Sequence, residues 1–232
     1  MAEPFVVSGY RWVSLVHTSW LERKYFGWLC GDKASGNHMS WYDAKMESFV
    51  HTVLWRRLDQ PGHDACRIAA TSQGWTIEGS AVFAQNGTAA HLAYRLFCDA
   101  TWRSRRASVS GWVGHMSLDL TLERAGTDDW RVNGEIDPNM TGLEDIDLGF
   151  TPASNTNAIR RLDLSEGTGA DCVAVWLDTE DWSVKRLPQS YNRTGPRTYA
   201  YVSPQHDYRA TLVTDAFGAI TEYPDLWTMC RT

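Results

Sequence analysis

From Val50 onward, apolar and polar residues alternate in short runs bounded by turn signals, the period-two pattern of half-buried strands. The clearest run is His115–Arg124. There Met116, Leu118, Leu120 and Leu122 share one face, and Ser117, Asp119, Thr121 and Glu123 share the other. Comparable runs cover Val50–Leu58, Asp64–Ser72, Trp75–Gln85, Thr88–Cys98, Arg103–Val113 and Trp130–Val132. They resume after residue 162 with Cys172–Leu177, Trp182–Ser190, Arg197–Ser203, Tyr208–Asp215 and Ala219–Tyr223, which are rich in the aromatic and β-branched residues strands prefer. Asn86-Gly87 and Asn133-Gly134 are two-residue hairpin signals, and Gln60-Pro-Gly62 and Ala125–Asp129 mark further turns. The pattern predicts a mainly β protein, a meander of antiparallel strands.

One segment breaks it. Thr151-Pro152 is a helix start, with a hydroxyl cap followed by proline where its missing N–H costs nothing. A single helix over residues 152–162 follows. Asp145 and Asp147 precede its positive end, and Arg160 and Arg161 occupy its last turn. Its apolar stripe, Ala158, Ile159 and Leu162, is narrow. Ser154, Asn157 and Arg161 share a second face, and Thr156 and Arg160 a third. Such a helix either lies on the surface or is wrapped by the sheet as a polar element whose groups need partners. In the second case it is a place to hold a hydroxyl-rich ligand, since asparagine both donates and accepts and arginine donates in a fork.

Residues 1–45 differ from the rest: four tryptophans (Trp12, Trp20, Trp28, Trp41) stand among small and charged residues without a sustained period. We treat this stretch as an atypical extension, with a short helix around Val13, Leu15 and Trp20. Residues 46–232 are read as one β domain. Met39 and Met46 make a later start an expectation that intact mass would check. Met1–Ser8 lack the basic start and long apolar stretch of a signal peptide, and no apolar run reaches membrane-spanning length.

Along about Val53 to Trp227 the chain resembles a family of bacterial glycolipid-binding proteins, formerly a domain of unknown function. The resemblance rests on Leu54-Trp-Arg-Arg57, Gly74-Trp-x-x-Glu-Gly79, Cys98-Asp-Ala-x-Trp-Arg-x-Arg105, Leu118-Asp-Leu120 and Trp130-Arg-Val-Asn-Gly134. It continues through Asp145–Leu162, Gln189-Ser-Tyr191, Tyr199-x-Tyr201 and Gly218-x-x-x-x-Tyr-Pro224. It implies a spiral β-roll, a long antiparallel sheet wrapped around a single helix, and a tendency to form a homodimer. Asn157-Ala158 stands where the family has a more apolar pair.

Composition narrows the function. The formal charge of −6 lacks the basic excess that phosphate backbones demand, which argues against nucleic acid; the local cluster Arg103, Arg105 and Arg106 reads as a solvated strand face. Seven histidines form no metal-ligating spacing, and no nucleophile elbow occurs, so neither a metal nor another cofactor is expected. Five widely spaced cysteines, Cys30, Cys66, Cys98, Cys172 and Cys230, suggest buried thiols in a reducing compartment and hence a cytoplasmic protein. Twelve tryptophans are read first as core mass, though each could also offer a flat platform to a sugar.

The reading that joins the polar helix, the curved sheet and the resemblance is a binding protein for an amphiphile such as a glycolipid. Acyl chain would lie on the apolar inner face, and Asn155, Asn157, Arg160, Arg161, Glu78 and Tyr191 would orient the head group. A first alternative is an enzyme acting on a sugar- or lipid-containing substrate, with Asp145 or Asp147 as acid or base. A raised carboxyl pKa in a cleft favours it, and arginine pairing counts against it. A second is a structural homodimer with a solid interior.

Overall fold

A computed structural model describes residues 49–231, all within the unit Ala44–Thr232. The expectations for residues 1–45, and Cys30 with them, lie outside the described residues. The first half forms β1 (Val50–Arg57), β2 (Gly62–Thr71), β3 (Gly74–Gln85), β4 (Thr88–Asp99), β5 (Ser104–Val113), β6 (Met116–Ala125), β7 (Asp129–Val132) and β8 (Glu135–Asp137). Next come β9 (Asp145–Leu148), a 3-10 turn (Pro152–Ser154) and α1 (Asn155–Leu162). The second half is β10 (Gly169–Leu177), β11 (Val184–Gly195), β12 (Thr198–Ser203), β13 (Tyr208–Thr214), β14 (Ile220–Tyr223) and β15 (Trp227–Met229).

These strands form one sheet in the order β8-β7-β6-β5-β4-β3-β2-β1-β15-β14-β13-β12-β11-β10-β9. Every pairing is antiparallel except β9 with β10. Both hairpin signals are realised: Asn86 and Gly87 have φ of 50° and 76°, Asn133 and Gly134 of 50° and 90°. Positive φ at both central residues is the turn whose twist matches the flanking strands.

The topology forces the sheet to roll. Its two edge strands, β8 and β9, are joined by residues 138–144 alone. That connection spans at most about 28 Å when extended. A flat sheet of this many strands, spaced about 4.8 Å apart, would be roughly 65 Å wide. The edges must therefore come round toward one another. They do not pair into a closed barrel, because the β9 edge is met by β5 through Ser104. The Ser104 N–H donates to the Glu144 carbonyl at 3.0 Å, and the Ile146 N–H donates to Ser104 Oγ at 3.1 Å. The result is a spiral β-roll around α1, the one α-helix among the described residues.

Alternation places the core inside the roll. On β4 the inner face is Ala90, Leu92, Tyr94, Leu96 and Cys98, all buried. On β6 burial is graded, from exposed Met116 through half-buried Leu118 to buried Leu120 and Leu122. The apolar face is continuous in sequence, but only its downstream half is covered. Trp55, Trp102, Trp130, Trp176 and Trp227 are buried. Trp55 Nε1–H donates to the Ile220 carbonyl at 2.6 Å and Trp130 Nε1–H to the Leu143 carbonyl at 2.9 Å, as buried indoles require. Cys66, Cys98, Cys172 and Cys230 are free thiols.

The helix start forms as its sequence predicts, with one refinement. Thr151, extended at φ −145°, caps the 3-10 turn by accepting the Ala153 N–H, and that turn leads into α1. Asp163 ends the helix in the left-handed conformation. Asn155, Thr156, Asn157, Ala158 and Ile159 are buried, so the helix is wrapped by the sheet and its polar side chains must be satisfied from within. Among the described residues no helix is long and apolar enough to cross a membrane.

Candidate functional site

Strand spacing puts Asp145 and Asp147 of β9 on one face, yet the fold gives them opposite surroundings. Asp145, 1% exposed, takes both arms of Arg161 from the last turn of α1, Nε to Oδ1 at 2.7 Å and Nη2 to Oδ2 at 2.6 Å. Arg161 also reaches Glu144 at 2.8 Å, and Glu144 in turn holds Arg103 at 2.7 Å. Burial would weaken the hold on the Arg161 proton, but the hydrogen bonds and charge of Asp145 outweigh it and raise the guanidinium further.

Asp147 receives only neutral donors. Gln189 Nε2–H donates to Oδ2 at 2.6 Å, and Ser154 Oγ–H to Oδ1 at 3.3 Å. Burial pushes this carboxyl up to about 6, against the downward pull of the two hydrogen bonds. Deeper in the roll, Asp64 is fully buried and accepts hydroxyl protons from Tyr94, at 2.8 Å, and from Thr151. Burial raises it to about 6 as well. Asp64 thus ties β2 and β4 to the residue that starts the helix.

Beside that start the roll opens into a cleft of about 250 Å³. Asp147, Gly149, Thr151 and Asn155 form its polar side, and β11–β15 supply Leu187, Tyr201, Ser203, Tyr208, Tyr223 and Trp227. Tyr201, Tyr208 and Tyr223 stand with ring centroids 6.0 to 6.3 Å apart. Trp176 meets the His206 ring edge-on at 5.1 Å. Ser203 is 4% exposed, and its Oγ has no hydrogen-bond partner among the described residues. A buried hydroxyl left unpaired at a cavity wall is a place for a ligand's polar atom.

Gly149 sets the shape of this wall. A Cβ there would stand 2.8 Å from both the Leu177 carbonyl oxygen and Trp176 Nε1. Backbone cannot yield cheaply, so Gly149→Ala is expected to cost about 1–3 kcal/mol, read as a lowered urea midpoint, and to displace the Trp176 indole.

The residues proposed from sequence are distributed over the fold. Asn155 lines the cleft, its Nδ2–H donating to the hydroxyl of fully buried Tyr191 at 3.0 Å. Asn157, fully buried, lies 3.2 Å from Ser104 Oγ. That hydroxyl already accepts the Ile146 N–H, so the network closes when the amide oxygen of Asn157 takes the Ser104 proton. Arg160 is at the other end of α1, its guanidinium 5.3 Å over Trp102 and 5.1 Å over Phe217. Arg161 is committed to Asp145 and Glu144. Glu78 faces outward between strands, held by Arg67 at 3.1 Å and Arg95 at 2.6 Å.

Tyr201, Ser203 and Tyr223, which line the cleft, and Gln189, which donates to Asp147 and to the Tyr201 hydroxyl, were not among those candidates. Their signal was present as period-two pairs on neighbouring strands, Gln189 with Tyr191 and Tyr201 with Ser203. Among the described residues no group of three histidine, cysteine or carboxylate side chains could hold a metal ion.

Comparison with known proteins agrees with this architecture. A crystal structure of a DUF1089-family protein from Pseudomonas aeruginosa superposes with a TM-score of 0.65 at 27% identity, covering 72% of this chain and 91% of that one. No curated protein matches the chain. The family model described as "Putative glycolipid-binding" matches residues 52–229, most of the sequence. The chain belongs to that family.

Proposed function

We propose that this protein binds an amphiphile of the glycolipid class without transforming it, and that the cleft beside the start of α1 seats the head group. The observation that carries the reading is the unpaired, buried Ser203 hydroxyl in an aromatic-walled cleft that also holds a carboxylate with spare acceptor capacity. Aromatic faces and a few convergent polar groups are the usual lining of a small-ligand site, and family membership supports the ligand class.

Size divides the ligand. Drug-sized pockets run from about 300 Å³ upward, so a cleft of about 250 Å³ suits a single sugar-sized head group. The acyl chain then stays outside this cleft. The expected seat for it, the inner face around the helix, is occupied by α1 itself, whose inward residues pack against the sheet.

The enzymatic alternative gains one observation and loses another. Asp147 has a carboxyl raised to about 6 within a cleft, as an acid or base would need. Glycoside hydrolysis, however, requires two carboxyl groups flanking the bond. Asp145 is held by Arg161, and among the described residues Asp147 is the one carboxylate lining the cleft. A homodimer, which the resemblance implies, is part of the same proposal.

The test is a tryptophan-fluorescence titration with octyl β-glucoside below its critical micelle concentration, run with the parent, Trp176→Phe and Glu78→Gln. Saturable binding in the parent, a diminished signal change in Trp176→Phe and unchanged binding in Glu78→Gln are expected. Absence of binding in the parent, together with no lipid retained after gentle purification, would overturn the reading.

A further inference from the structure

The cleft contains a carboxylate, Asp147, that no lysine or arginine among the described residues pairs with. Both donors to Asp147, Gln189 and Ser154, are neutral, and among the described residues no lysine or arginine lines the cleft. Contrast Asp145, two residues away on the same strand, which has a guanidinium on both oxygens. Each oxygen of Asp147 takes one hydrogen bond, leaving lone pairs available. Tyr201, Tyr208 and Tyr223 line the same cleft, and the π-systems of such rings attract cations. Ser203 Oγ, buried and unpaired, can accept one further N–H.

We infer that the head group seated here carries an ammonium nitrogen, which pairs with Asp147, lies against the tyrosine faces and donates to Ser203. The inference rests on the head-group reading above and narrows it. A sugar hydroxyl would give Asp147 a hydrogen bond but no countercharge. An ammonium gives both. A phosphate, sulfate or carboxylate head group would face Asp147 with like charge and no arginine to hold it.

The groups that bear on Asp147 electrically come from every neighbouring element. Asp145 acts from its own strand, Cys172 from β10, Tyr191 from β11, Tyr201 from β12 and Tyr223 from β14; His206, from the turn after β12, also lines the cleft. Burial raises the three tyrosines, so they stay neutral donors at physiological pH. No member of this set other than His206 can become a cation. Apart from His206, no described group around the cleft can supply an ionised Asp147 with a countercharge.

The experiment compares four probes at pH 7.5, each below its critical micelle concentration: octyl β-glucoside, octyl 2-amino-2-deoxy-β-glucoside, its N-acetyl derivative and octyltrimethylammonium. Isothermal titration is run on the full chain and on Asp147→Asn. The amino glucoside is expected to bind the parent about tenfold or more tighter than the neutral glucoside, with the N-acetyl form falling back to the neutral level. Asp147→Asn should bind both glucosides alike. Equal affinity of the two glucosides for the parent overturns the ammonium assignment while leaving the head-group reading intact. Binding of octyltrimethylammonium but of neither neutral glucoside supports the ammonium and removes the sugar. Binding of none of the four removes both readings.

Discussion

Asp147→Asn is expected to be more stable than the parent at pH 7.5, and by a margin that vanishes near pH 4. The carboxyl stands at about 6 in the folded chain against an ordinary value of 3.8. Between those values the folded state keeps a proton that the unfolded state has lost. Stability from this group is therefore complete below about pH 4, is lost as pH rises through about 6, and stays lost above. Two pH units correspond to about 3 kcal/mol as an upper bound. An amide never ionises, so the variant escapes the loss. It can still accept from Gln189 with its oxygen and offer its nitrogen to Ser154 Oγ. Urea midpoints at pH 4.5 and 7.5 check this. Asp64, raised to about 6 by burial in the same direction, gives both proteins a shared decline over the same window, so the difference between them isolates Asp147. Equal alkaline loss in parent and variant would show that Asp147 bears no such cost. A residue that weakens its own fold at working pH, where a neutral isostere would not, is the pattern of a site retained for a ligand.

Much of the fold was legible because its signals are local. Asn86-Gly87 and Asn133-Gly134 dictate their turns through the backbone alone, and Thr151-Pro152 sets the helix start. The face of β6 is visible in its alternation. What local pattern could not give is where the sheet stops covering that face, which leaves Met116 exposed at 40% and Leu122 at 0%. The short edge strand β9 was only half legible for a related reason: Asp145 and Asp147 stand at strand spacing, but local pattern does not show that the run pairs as an edge strand. Asp-Ile-Asp-Leu reads as an acidic lead-in to the helix. Its carboxylates become strand side chains because their partners, Arg161 and Gln189, arrive from elsewhere in the chain. The same limit governed the site. Two aspartates one residue apart look equivalent in sequence, yet one is neutralised by an arginine and the other faces a cleft. Glu78 looked like a candidate beside an aromatic; strand parity turned it to the outer face, where Arg67 and Arg95 hold it. Asn157 and Tyr191 lie buried in the polar interior, where the protein itself uses their hydrogen bonds.

Arg161→Met should be the most damaging single change in the polar interior. It leaves Asp145, 1% exposed, as a buried carboxylate without a cation. Breaking a buried pair from one side costs about 3–5 kcal/mol, because the remaining charge has lost both water and partner. Glu144, which shares Arg161, keeps Arg103 and suffers less. The double variant Asp145→Leu with Arg161→Met removes the orphaned charge and should recover a large part of the loss, since apolar replacement of a whole buried pair is often close to neutral. Because β9 carries Asp147 as well as Asp145, a shift of this strand also moves the cleft carboxylate. Ligand affinity in the double variant then separates the two roles of the strand: restored stability with restored binding means that the ion pair serves only to anchor β9, and restored stability with lost binding means that the pair also sets the position of Asp147.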